Sequence, residues 1–337
     1  MAITEPKVSC SIEFDSAGKH HGYLSVPHSR NDSGWGALHV PISMIGHGEG
    51  PTLGFSGGNH GDEYEGPIAL MKLIQRLQPD DIQGRVIVIP CLNYPAVMSG
   101  DRVSPIDGVN MNRAFPGRRD GSVSEMIAHF VYSKIIPLCD GWLDIHSGGK
   151  TMMFSPFVAY HRLEDRELTE KARLAATAAG GPISLELVEL DSDGMLDTAV
   201  ENAGKIFVGT ELGGGGTTST ETVAVAEDTV MNLLAHFGLT KNPPVTREAR
   251  GLAPTRHMHM PDPDCFTISE DAGLWEALTD LDAPVSKGQA LGQIHFPQKP
   301  QTDPVVYTSR IDGTLIGRSH KVLVSPGDFL GLVALDL

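Results

Sequence analysis

The sequence predicts an α/β fold: a mainly parallel or mixed sheet flanked by helices, followed by a smaller all-β C-terminal domain. Three observations predict it. Between about residues 51 and 238, short apolar runs (52–58, 86–90, 206–210) alternate with stretches of helical periodicity. Residues 241–248 then form a polar, proline-bearing linker. After it no helical period follows, only short β runs broken by turns. Alternating strands and helices imply a mainly parallel sheet covered on both faces. A series of short strands implies a small barrel or sandwich.

Taken in order, residues 1–50 are rich in β and turn signals, with strands expected at 22–26 and 37–42. Residues 66–77 repeat apolar side chains at helical spacing, and Pro67 suits a first helical turn. Residues 123–136, 164–179 and 222–236 also read as helices, the last closed by Gly238. These elements make residues 1–240 one expected domain and 255–337 a second. In the second, β runs are expected at 273–278, 285–294, 305–307, 313–316 and 322–333. Its half-repeat resembles the lipoyl and biotinyl carrier fold, but the cofactor-bearing lysine motif of those carriers is missing. A β module that packs on the first domain is the simpler reading.

The chain has 337 residues, 40% of them hydrophobic, which is enough for a sizeable core. A formal net charge of −16 disfavours nucleic acid and anionic membrane as partners. Cys10, Cys91, Cys139 and Cys265 show no paired spacing, so a reducing cytoplasm fits better than a disulfide framework. No basic-then-apolar leader opens the chain, and no apolar run approaches the ~20 residues that a membrane span needs.

Several apolar runs end in polar residues able to converge. In open α/β sheets, ligands bind beyond the carboxyl ends of the strands. His60 and Glu63, three residues apart on a loop entering a helix, can face one point. Glu65 lies nearby at a less suitable spacing. His146 ends the apolar run 142–145 and is followed by Ser147 and two glycines, which leave its ring room. Two histidines and a carboxylate form a ligand set for zinc with one position left for water. Asp144 shares a strand face with His146 and is placed to hold its ring as an outer carboxylate. Glu211 ends another apolar run, where an acid is costly to bury without a partner, and is the candidate proton carrier. The glycines at 213–216 can make a mobile loop or let backbone approach substrate. Arg102, Asn112 and Arg113 lie on the long loop 99–117, and a loop of that length suggests a function. Guanidinium groups there can grip a carboxylate or stabilise an oxyanion. Arg118 and Arg119 read as surface residues, and His257 with His259 lacks a third ligand.

The runs Gly58-Asn-His-Gly-Asp-Glu63, Asn112-Arg-Ala-Phe-Pro-Gly117, Asp144-Ile-His-Ser-Gly148 and Thr210-Glu-Leu-Gly213 together resemble the succinylglutamate desuccinylase and aspartoacylase family, a branch of the zinc carboxypeptidases. The likeness spans most of residues 50–240 and implies a zinc-carboxypeptidase-like sheet. It implies one zinc ion per chain held by His60, Glu63 and His146, with Glu211 as general base and acid. It further implies that Arg102 polarises the scissile carbonyl and that Asn112 and Arg113 hold the substrate's α-carboxylate. Within the family the pattern is most similar to the bacterial N-acetyl-L-2,4-diaminobutyrate deacetylases of ectoine degradation.

The expectation is a cytoplasmic zinc amidohydrolase that removes an acetyl group from an N-acetylated amino acid. Aspartoacylase, desuccinylase or carboxypeptidase activity is the alternative of like chemistry, and a non-catalytic binding module the alternative of another class. Acidic residues such as Glu189, Asp191 and Asp193 could meet a substrate amine. A homo-oligomer is compatible with the sequence.

Overall fold

A computed structural model of the chain describes residues 5–188 and 192–337. Its first strands are β1 (Ser9–Cys10), β2 (Gly18–Pro27), β3 (Ala37–His47), β4 (Thr52–Gly57) and β5 (Gly84–Ile89). Next come β6 (Gly141–His146), β7 (Met152–Phe154), β8 (Phe157–His161), β9 (Ile183–Leu187) and β10 (Ile206–Glu211). The helices are α1 (Glu65–Arg76), α2 (Tyr94–Ser99), α3 (Val123–Phe130), α4 (Arg166–Ala179), α5 (Leu196–Asn202) and α6 (Thr220–His236). The rest of the chain is β: β11 (Arg256–His259), β12 (Phe266–Ile268), β13 (Gly273–Ala277), β14 (Pro284–Val285) and β15 (Ala290–His295). It closes with β16 (Val305–Thr308), β17 (Gly313–Ser319), β18 (Leu323–Val324) and β19 (Phe329–Asp336).

One large mixed sheet runs β1-β2-β3-β5-β4-β6-β10-β8-β9-β11-β19-β17-β14. The pairs β5–β4, β4–β6, β6–β10, β8–β9 and β9–β11 are parallel, while both margins are antiparallel. The mainly parallel or mixed sheet expected from the sequence is therefore what forms, with β10–β8 an antiparallel pair inside its parallel middle. The margins differ because hairpins such as β2–β3 need no crossover helix. Of the C-terminal strands, β11, β12, β14, β17 and β19 enter the same sheet, since β11 pairs with β9 and β7 pairs with β17, while β16-β15-β13-β18 form a separate four-stranded sheet.

Alternate side chains of the central strands point to opposite faces, and both faces are covered. Ile87, Ile89, Trp142 and Phe207 pack with Ile127 and Val131 from α3 and its extension and with Leu196 and Val200 of α5. Val86, Val88, Leu143 and Val208 pack with Leu70 of α1, Ala172 and Ala176 of α4 and Leu233 of α6. Period-2 burial on two apolar faces is what a strand inside an α/β sandwich requires.

Helix starts follow their capping chemistry. Ser122 and Glu125 form a reciprocal capping box at α3. Ser219 accepts a hydrogen bond from Thr222 N at 3.0 Å to open α6. Gly238, one residue past the Phe237 cap, takes the left-handed φ of +76° that ends α6. Helix α3 continues through a π turn over Val131–Ile135, matching the longer helix expected there. Helices α2 and α5, six and seven residues long, carry too few turns for a periodic signal. Among the described residues, no helix is long and apolar enough to cross a membrane.

Candidate active site

Strand β4 delivers the chain into the turn that carries His60 and Glu63, just before α1. Gly61 permits this turn, because a Cβ there would lie 2.0 Å from the carbonyl carbon of Ala96. The buried Glu63 carboxylate bridges two imidazoles. Its Oε1 is 2.8 Å from His60 Nδ1, and its Oε2 is 2.8 Å from His146 Nδ1. Ser147 N donates to Oε2 at 3.2 Å, and Arg102 Nη1 donates to Oε1 at 3.3 Å. One ligand atom from each of His60, Glu63 and His146 lies within 4.8 Å of the others. Among the described residues this is the one trio of its kind.

The outer ring nitrogens are anchored. His146 Nε2 is 2.8 Å from Asp144 Oδ2, and His60 Nε2 is 3.1 Å from Asn110 Oδ1. Asp144 in turn accepts from Ser56 Oγ at 2.7 Å and Asn59 Nδ2 at 2.8 Å. With each Nε2 turned to an outer oxygen, both Nδ1 atoms face the Glu63 carboxylate, which is how outer contacts orient metal-binding histidines. Two imidazole nitrogens and a carboxylate fit a divalent metal ion, with coordination positions left over.

The electrostatics agree with that donor set. Burial lowers the pKa of His60 below the usual histidine value, so its ring is held neutral. Burial also opposes charge on His146, but the carboxylates of Asp144 and Glu63 outweigh it and raise its pKa well above the usual value. Burial opposes charge on Glu63 too, yet His60 and His146 together keep its carboxyl well below the usual range. The Glu63 carboxylate thus favours positive charge beside it, which a proton on His146 or a cation between the three side chains can supply.

Glu211 arrives by sheet register. Strands β10 and β6 are parallel, and their last rung pairs Glu211 with His146. Glu211 Oε2 is buried with no hydrogen-bond partner among the described residues. Burial, and then the charge of Glu63, push its carboxyl up to about 8, against the pull of His146 and Arg102. A buried unpartnered carboxylate oxygen is expensive unless a cation, water or substrate meets it.

The remaining residues singled out in the sequence divide cleanly. Arg113 lines the same cavity as His60, His146 and Glu211, and its Nη1 donates to Asn112 O at 2.7 Å. Asn112 Oδ1 accepts from Leu196 N at 3.0 Å and Asn59 Nδ2 at 3.2 Å, so what it can offer a ligand is its Nδ2 hydrogens. Glu65 turns away from the trio and accepts from Thr222 Oγ1 at 3.1 Å. Arg118 and Arg119 pair with Glu125 and Asp120 at the surface. Glu189 and Asp191 lie outside the described residues, and Asp193 is exposed. The glycine run is pinned by backbone hydrogen bonds and close approaches. Gly213 O accepts from Gly148 N and Phe154 N, and a Cβ on Gly214 would sit 2.0 Å from Met152 O. These glycines let two backbone segments touch behind the site.

Sequence reasoning missed Asn110, which holds His60, and Asp197 of α5, which lines the cavity. The spacing Asn110-Met-Asn112 was a visible signal for the first, whereas the second sits on a helix too short to stand out. It also missed part of the cavity's wall. Phe266, Ile268, Phe329 and Leu332 of the C-terminal segment also line the cavity, and Phe329 packs against Phe154 with ring centroids 6.1 Å apart. The cavity has a volume of about 660 Å³.

Residues 49–237 match the family model described as the succinylglutamate desuccinylase/aspartoacylase catalytic domain. The chain is 42% identical over 327 residues to the N-alpha-acetyl-L-2,4-diaminobutyric acid deacetylase of Halomonas elongata, covering 97% of this chain and 94% of that protein. Its structure is similar to the product-bound ectoine utilization protein EutE (DoeB) from Ruegeria pomeroyi, with TM-score 0.94 and 44% identity, covering 98% of this chain and 99% of the other. A succinylglutamate desuccinylase/aspartoacylase structure from Rhodobacter sphaeroides superposes with TM-score 0.93 at 37% identity, covering 98% and 99% of the two chains. The chain belongs to the succinylglutamate desuccinylase/aspartoacylase family of amide-hydrolysing enzymes.

Proposed function

We propose that the chain is a zinc-dependent deacetylase that converts N-α-acetyl-L-2,4-diaminobutyrate to L-2,4-diaminobutyrate and acetate in cytoplasmic ectoine catabolism. One observation carries the chemistry: a buried carboxylate, Glu63, joins the Nδ1 atoms of His60 and His146 at 2.8 Å each, one strand away from the unpartnered Oε2 of Glu211. The substrate assignment is supported by the 42% identity to the Halomonas elongata deacetylase over 97% of this chain.

His60, Glu63 and His146 would hold the zinc ion. When bound, zinc supplies a Lewis acid that polarises the amide carbonyl and makes water more acidic. Glu211 Oε2 then takes a proton from the attacking water and returns it to the leaving amine as the C–N bond breaks. Its high apolar burial suits a group that must both accept and release a proton near neutral pH. Arg102, already within 3.3 Å of Glu63, donates toward the carbonyl oxygen as negative charge builds there. Arg113 and the Nδ2 of Asn112 take the α-carboxylate, and so set how far the amide reaches toward the trio. Residues 1–240 would form the hydrolytic unit and 255–337 a β domain whose apolar side chains shield the reaction from bulk water.

The test is elemental analysis of the purified protein together with acetate release from both acetyl regioisomers of diaminobutyrate. About one zinc per chain and turnover of the α-acetyl isomer are expected. Stoichiometric zinc with inertness toward both isomers would remove the substrate and leave the hydrolase.

A further inference from the structure

A substrate acetylated on its α nitrogen keeps a free γ-ammonium, and the cavity has to receive that charge. This inference rests on the substrate proposed above. Much of the cavity wall is apolar, including Phe154, Phe157, Phe207 and Phe266. A cation held there without a counter-charge would be strongly disfavoured. Among the described residues lining the cavity, only Glu211 and Asp197 carry carboxylates. Glu211 sits beside the trio, in register with His146, and is committed to proton transfer.

Asp197 differs in every respect that matters. It occupies the first turn of α5 and is 8% exposed. The backbone N–H and hydroxyl of Thr198 both donate to its Oδ1. Its Oδ2 has no hydrogen-bond partner among the described residues. Burial raises its carboxyl above the usual range, and nearby His161 lowers it only in part. His161 itself is within 2.9 Å of Glu201 and stacks on Phe207 with an interplanar angle of 4°.

The position is tied to the proposed carboxylate grip. Leu196 N, one residue before Asp197, donates to Asn112 Oδ1 at 3.0 Å, and Phe115 N donates to Gly194 O at 2.9 Å. The start of α5 is thus bonded to the loop that carries Asn112 and Arg113. A ligand whose α-carboxylate meets Arg113 has its γ nitrogen three bonds from the α-carbon, on a two-methylene arm. We infer that Asp197 is the specificity residue for this amine, with its Oδ2 accepting the γ-ammonium while Thr198 holds Oδ1 still.

Two measurements test it. First, hydrolysis of N-α-acetyl-L-2,4-diaminobutyrate is compared with N-acetyl-L-2-aminobutyrate, which has the same acetamide and carboxylate and lacks the amine. In the wild type, kcat/KM should favour the amine substrate by about 10²-fold, and in Asp197→Asn the ratio of the two kcat/KM values should fall close to one. Second, calorimetry with the free amino acids should show Asp197→Asn losing affinity for L-2,4-diaminobutyrate and keeping that for L-2-aminobutyrate. Equal wild-type kcat/KM for the two substrates, or an unchanged preference in the variant, would overturn the inference. A wild type that hydrolyses neither substrate, yet binds diaminobutyrate through Asp197, would sink the deacetylase reading and uphold the amine site.

Discussion

Glu211 and His146 are register partners on the last rung of two parallel strands, so the proposed proton carrier and a ligand of the trio leave the sheet side by side. Parallel pairing sets their spacing without help from any loop. Replacing Glu211 by Gln keeps the shape and removes the proton acceptor. We expect zinc content to be unchanged and kcat to fall by about 10²–10⁴-fold. Metal analysis alongside acetate release checks this, and full activity in the variant would dismiss Glu211 as the base.

Asp144 reaches the metal site only through His146, whose Nε2 it meets at 2.8 Å. Asp144→Asn keeps the volume but removes the charge that orients the ring. Metal affinity should drop by about 10–100-fold, read by competition with a chromophoric chelator. An unaltered dissociation constant would mean that the ring is oriented by Glu63 alone.

Asp107 links the long loop to α3: its carboxylate accepts from Ser124 N at 2.8 Å and Val109 N at 3.2 Å. Partial burial opposes its charge, but these hydrogen bonds win and hold its pKa below the usual carboxylate value. A depressed pKa means the folded state prefers the charged form. Its contribution is therefore present above the unfolded carboxylate pKa of ~3.9 and fades as pH falls through the lower folded value. At pH 7 Asp107→Asn should be less stable by about 1 kcal/mol, in line with loss of a helix cap. Urea denaturation at a series of pH values should show that deficit shrinking below about pH 4, and a deficit that does not vary with pH would contradict it.

Gly61 stands between His60 and the helix α2 backbone. A methyl group 2.0 Å from the Ala96 carbonyl carbon cannot be accommodated by rotating a side chain. Gly61→Ala should cost about 1–3 kcal/mol and displace His60, lowering both the melting temperature and the bound metal. A variant as stable and as metal-loaded as the wild type would show that the turn can shift.

Part of this molecule was legible in one dimension. The strands that end at residues 57, 146 and 211 and helices α1, α4 and α6 announced themselves by period and by caps. Both short-range pairs, His60 with Glu63 and Asp144 with His146, follow from chain geometry, because residues two or three apart at a strand end or turn share a direction. The strand-end rule marked those pairs as able to converge, and the resemblance assigned them to one ion. Asn110 was signalled only by its spacing from Asn112, and Asp197 and the aromatic wall were not readable, since each acts across a gap in sequence that no local period spans.

What the sequence determined by itself was the inventory: which side chains can ligate, which strands bury on both faces, and where helices begin. Tertiary structure alone decided that the Glu63 carboxylate lies between two rings 86 positions apart along the chain and that β10 comes to rest beside β6. It alone brought C-terminal strands to the cavity wall. The physical reason is that hydrophobic periodicity records burial, whereas neighbourhood in a sheet depends on strand order and register, which are set by packing of the whole core.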